Sequence, residues 1–219
     1  MRPSCAKQLR NTEVQQMRRY ATVAEAVYFG SSHPELPKLE SGDLLLWRTS
    51  SSGFFTVGNL IRVAGRGEYS HSGMYALVHG VPCVIEVRER YGGRLVTLES
   101  QVREAPGQID VFRPAPSCEG YYHRQTAVRE MLRVTGCRYG YAALLRAACS
   151  HLAGVRMFVK PCTDDASEST GDPFCSEATS RAMRRAGLLV VHNLADRFTE
   201  PSDQARSSAV EYCCTLVEP

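Results

Sequence analysis

No two cysteines stand at CxxC spacing, no block of Lys and Arg runs along the chain, and no stretch approaches the roughly 18 apolar residues of a spanning helix. The first absence weighs against a zinc ribbon or finger, which announces itself by close Cys/His pairs. Nine cysteines is an odd number, with Cys213 and Cys214 adjacent and poorly placed to bridge each other, so a secreted disulfide framework fits badly and a reducing compartment fits well. The second absence weighs against nucleic acid as a partner: the net charge is only +3, and basic residues alternate with acidic ones, as in "IEVRER". The third leaves no spanning segment, and the opening "MRPSCAKQLRNTEVQQMRRY" lacks the apolar core of a signal peptide. A cytoplasmic protein is the expectation.

What is present is ordinary for a globular chain: 219 residues, 43% apolar and 22% charged, enough to bury a substantial core. Positions 1–40 read as an N-terminal helical extension, with Val14, Met17, Ala21, Ala24 and Val27 on one face of a helix begun by a Thr12/Gln15 capping box. Positions 41–219 read as one α+β domain. "DLLLWR" is strand-like, and "FFTVGNLIRVAG" reads as a short helix. "YSHSGMYALV" and "PCVIEVRE" read as a hairpin closed by a tight "HG" or "HGV" turn, while "GRLVTLES" and "IDVFRP" continue an antiparallel meander. "YYHRQTAVREMLRVTG" and "GYAALLRAACSHLAG" are helical in period, stopped at Gly136 and Gly154. The tail reads as loop ending in an edge strand, "EYCCTLV".

One cysteine differs from the other eight. In "GDPFCSEATSRAM", Asp172 suits an N-cap and Pro173 a first helical position, which predicts Cys175 as the third residue of a helix. A thiol there sits at the positive end of the helix dipole, which favours thiolate. A buried, inert cysteine is the competing reading, because free cysteine is commonly core. A nucleophile needs a base, and His71 alone of the six histidines lies inside a strand-like run. It also needs a group to orient the base, and Glu86 is an acid in an otherwise apolar strand. If Val78 faces Val81 across the turn, Glu86 lies diagonal to His71 on one sheet face; a slip of one residue would separate them.

Taken in order, "SGDLLLWR", "YSHSGMY", "VIEV", "YGYAALL" and "PFCSEATSRAMRRAG" resemble the YiiX/YebB-like branch of the NlpC-type, circularly permuted papain-like cysteine hydrolases, over about Ser41 to the C-terminus. The resemblance implies a permuted papain-like core with the nucleophile helix against an antiparallel sheet. It places Cys175 at the nucleophile, His71 at the general base and Glu86 at the orienting acid, with Gly42 and Asp43 in the turn that opens the fold. Gly140 stands where relatives often carry an acid, which leaves Tyr139 and Tyr141 without an assigned role.

The implied activity is thiol hydrolysis of an amide or ester through an acyl-enzyme, with no metal or organic cofactor and with the backbone N–H of Cys175 as one oxyanion donor. A peptide and a lipid acyl substrate both stay open. So do a minor membrane contact along "YAALLRAACSHLAGVRMFV", a non-catalytic binding module of the same fold, and a zinc site using Cys175, His71 and another cysteine.

Overall fold

The computed structural model describes residues 39–49, 67–142, 144, 171–192 and 194–217. The expected N-terminal helix, the short helix in "FFTVGNLIRVAG" and most of "GYAALLRAACSHLAG" lie outside the described residues, as does nearly all of the 1–40 extension. The described part is α+β, built on a six-stranded antiparallel sheet.

The strands are β1 (Leu44–Arg48), β2 (Tyr69–Val78), β3 (Val81–Arg88), β4 (Gly92–Thr97), β5 (Ile109–Pro114) and β6 (Val210–Leu216). The β2–β3 turn places His79 and Gly80 at positive φ, 52° and 80°, the conformation a two-residue hairpin of matching twist needs. This fixes Val78 against Val81 and carries the pairing to Gly73 against Glu86, the register expected from the sequence.

The sheet order β4-β3-β2-β1-β5-β6 corrects the expected meander after its fourth strand. "GRLVTLES" is not strand throughout. Thr97 ends β4, and its hydroxyl accepts the Ser100 N–H to cap helix α1 (Leu98–Glu104). Leu98 and Val102 of α1 cover Leu45, Trp47, Tyr75 and Val84 on one sheet face, so the chain crosses that face and β5 joins the far edge of β1. The edge strand expected in the tail is β6, paired with β5.

The opposite face carries α2 (Pro116–Glu119), α3 (Arg124–Arg133) and α4 (Cys175–Arg185). Ala127 and Met131, one turn apart on α3, and Ala178, Ala182 and Met183 on α4 pack over Leu46, Met74, Ile85 and Val87. Gly136 and Gly187, at φ of 84° and 96°, terminate the two helical segments. A Cβ on Gly187 would stand 2.2 Å from the Tyr121 carbonyl oxygen, so the close approach of the two chains also demands glycine.

The tail is not loop before β6: Pro201–Ala205 forms helix α5, held by a reciprocal Glu200/Asp203 capping box. This helix locks α4 in place. Ser202 accepts the Tyr69 N–H through its hydroxyl, and the buried Gln204 amide donates to Ser176 O, Thr179 Oγ1 and Ser180 Oγ. Gln204→Leu strands those acceptors without water, and the expected loss is about 2 kcal/mol of unfolding free energy in a urea titration.

Candidate active site

Cys175 begins α4 instead of standing third in it. The Asp172 carboxylate accepts the Arg138 N–H at 3.2 Å, and the Pro173 carbonyl accepts the Gly140 N–H at 3.0 Å, so neither is free to open the helix. Phe174, with φ −96° and ψ 178°, is the extended residue before it. Cys175 still lies in the first turn, where backbone N–H groups have no helical partner and the dipole favours an anion. Gly140 has a steric reason: a Cβ there would stand 2.1 Å from the Asp172 carbonyl oxygen, so no acid fits at this position.

The structure brings Cys175, His71 and Glu86 together. Strand alternation points Ser72 toward α4, where its hydroxyl meets Thr179 Oγ1 at 3.1 Å, and turns His71 and Gly73 to the other face. The β2–β3 ladder stops at Gly73–Glu86, and the N–H of Ser72 faces the sulfur of Cys175. His71 Nε2 lies 2.6 Å from Glu86 Oε2, which leaves the other ring nitrogen for the hydrogen bond between His71 and Cys175. A nucleophile, a base and an orienting acid would need this order of contacts.

Each group is shifted by its neighbours. Burial opposes charge on Glu86, but His71, Arg88 and Arg94 overcome it and hold the carboxyl down at about 2. Burial likewise opposes a charged imidazole, and Glu86 with the Cys175 sulfur raises His71 to about 9. Burial pushes the Cys175 thiol up, yet the His71 hydrogen bond and charge, joined by the N–H groups of Ser72 and Ser176, bring it below its ordinary value. The combination favours a thiolate–imidazolium pair.

Several neighbours were not singled out from sequence. Arg94 stands directly opposite Glu86 in the β3–β4 register, with Nε and Nη2 2.8 and 2.6 Å from Glu86 Oε1. Trp47, opposite His71 on β1, sets its ring edge-on at 4.8 Å. Gly73 leaves room between them: a Cβ there would press on Val84, Ile85 and Trp47 at 3.1–3.3 Å. Tyr139, Phe198 and Leu144 pack around Phe174 and Cys175, and the Cys175 residue is 1% exposed. Among the described residues no group of three or more His, Cys, Asp or Glu is arranged to hold a metal ion.

No family model matches this chain, and no curated protein matches it. Among solved structures, the crystal structure of metalloprotein yiiX from Escherichia coli O157:H7 aligns with a TM-score of 0.45 and 16% identity, over 81% of this chain and 98% of that one. A likeness of that degree carries nothing about chemistry.

The buried carboxylate makes stability depend on acid. Glu86 has a folded-state value near 2 against an ordinary 4.5, so its stabilisation is full above the ordinary value and is lost as pH falls toward 2. Glu86→Gln is expected to cost about 3 kcal/mol near neutral pH. In urea titrations at stepped pH, the gap between wild type and Glu86→Gln narrows as pH drops below about 4.5.

Proposed function

We propose that this chain is a cysteine hydrolase of the permuted papain-like type, attacking an amide or ester carbonyl with Cys175. The observation that carries the reading is His71 held by Glu86 at 2.6 Å on one nitrogen while it hydrogen-bonds Cys175. A glutamate on an apolar strand, a strand histidine and a helix-start cysteine come from three separate stretches of sequence. Core packing alone gives no reason for a carboxylate at zero exposure between them.

In this mechanism the Cys175 thiolate adds to the carbonyl carbon, and the electron pair moves to the carbonyl oxygen. The tetrahedral oxyanion is met by backbone N–H at the start of α4. As the oxyanion collapses, the imidazolium of His71 gives its proton to the departing amine or alkoxide, leaving an acyl thioester on Cys175. Neutral His71 then takes a proton from water, which attacks the thioester; the acid leaves and the thiolate–imidazolium pair returns. Glu86 stays ionised throughout and fixes which ring nitrogen faces the sulfur. Peptide amides and lipid acyl groups both satisfy this chemistry. No helix among the described residues is long and apolar enough to cross a membrane.

A second reading has its own observation. The 1% exposure of Cys175 beneath Phe174 and Tyr139 suits a binding module that keeps the fold and has no turnover. Alkylation separates the two. Under the hydrolase reading, iodoacetamide labels Cys175 at about pH 6 roughly ten-fold faster than Cys83 or Cys214, and His71→Ala removes the advantage. Burial pushes those two reference thiols up to about 12. Labelling of Cys175 no faster than Cys83, unchanged by His71→Ala, supports the binding module.

A further inference from the structure

The carboxylate of Glu86 has two oxygens, and the structure divides them. Oε2 faces His71 at 2.6 Å; Oε1 is gripped by both Nε and Nη2 of Arg94. The grip comes from the fold: Glu86 and Arg94 are direct cross-strand partners on β3 and β4, and the ring of Tyr91, just before β4, lies 4.4 Å from the Arg94 guanidinium on its own side. Arg94 thus lies between an aromatic face and a carboxylate oxygen.

Charge points the same way. A thiolate, an imidazolium and a carboxylate sum to one net negative charge in a site where Glu86 and Cys175 are both buried, and an uncompensated charge there is costly. Arg94 supplies the balancing cation. Arg88 is nearby and adds to the positive field, but its Nη1, 3.8 Å from Oε1, donates to Gln101 at 2.8 Å and its Nη2 pairs with Glu104 of α1, so it makes no hydrogen bond to Glu86 and shares its charge with a second carboxylate. Facing Glu86 are therefore His71 from β2, Arg88 from its own strand and Arg94 from β4, with Cys175 and Tyr139 beyond His71.

We propose that Arg94 is a positioning residue for the candidate Cys175–His71 pair: by closing on Oε1 it turns Oε2 to His71 and neutralises the site. The proposal rests on the hydrolase reading and extends it to a fourth member that touches neither substrate nor sulfur. A merely structural Arg94 would change how much protein folds without changing where the site titrates.

The test is the acid limb of the pH dependence of Cys175 alkylation by iodoacetamide, in wild type, Arg94→Gln, Arg94→Lys, Glu86→Gln, the Glu86→Gln/Arg94→Gln double variant and His71→Ala. Arg94→Gln is expected to move the limb upward by about one pH unit, since loss of the cation and of the grip both disfavour thiolate. Arg94→Lys, which keeps a charge and loses the fork, moves it about half as far. In the Glu86→Gln background Arg94→Gln adds less than about half its single-variant shift, because the carboxylate it acts through is gone.

An unmoved limb in Arg94→Gln, a full additive shift in the double variant, or a wild-type limb in Arg94→Lys each overturns the role. The last comparison decides alone if Arg94→Gln does not fold. If wild-type Cys175 shows no early limb and His71→Ala changes nothing, the hydrolase reading fails and this role with it. If those two arms behave as expected and Arg94→Gln is silent, only the Arg94 role fails.

Discussion

Burying the carboxylate of Glu86 is the constraint on which the site depends. An ionised group with no exposure costs several kcal/mol unless it is paired and hydrogen-bonded. The sheet meets that cost with a row of cross-strand partners: Leu45 on β1, Gly73 on β2, Glu86 on β3 and Arg94 on β4. Gly73 contributes no side chain, so His71 one diagonal away reaches the first oxygen, and Arg94 takes the second. Trp47 packs on the ring of His71 and helps keep water from the pair. A histidine so held has one nitrogen committed and the other pointing at the sulfur.

The sulfur arrives from the opposite sheet face, so its placement depends on how α4 sits against β2. Three contacts set that position: Ser72 with Thr179, Ser176 with the Thr199 carbonyl at 2.7 Å, and the Gln204 amide spread over three acceptors behind the first turn. At the other end of β1, buried Asp43 accepts from Arg124 at 2.7 Å while the Tyr122 hydroxyl donates to Gly42 O, which ties α3 to the turn before the sheet. The site is thus assembled on regular elements, and the Cys175–His71 geometry is inherited from sheet register and helix docking together.

Register was legible in sequence because it is a matter of parity. Given Val78 against Val81 across the β2–β3 turn, which the sequence left as one of two closures and the structure shows, the face of every residue from His71 to Glu86 follows, and so does the meeting of those two side chains. Other features were not legible because long-range partners decide them. Asp172 and Pro173 carry strong helix-start signals, yet Arg138 and Gly140 claim them, and the helix opens at Cys175. Thr97 reads as one more strand residue until its hydroxyl caps α1, and that helix is what sends β5 to the far side of β1. Arg94 could be set opposite Glu86 only by knowing the β3–β4 turn, where Arg90 and Gly92 adopt positive φ in a stretch with several equivalent closures. Glycine at position 140 was plain in the sequence, but its reason was not, because it is the Asp172–Pro173 backbone that fills the space a side chain would need.

The central claim is that Cys175 rests as a thiolate beside a charged His71, and its most direct test needs no reagent to reach the sulfur. Thiolate absorbs in the far ultraviolet where thiol does not, so the difference in absorbance between wild type and Cys175→Ser, followed against pH, counts charge on this one sulfur. The account predicts that the difference signal is already present at about pH 6 and rises in a step well below the 8.5 or so of a free cysteine. A difference signal that appears only at or above that value would show a neutral, buried thiol and contradict it.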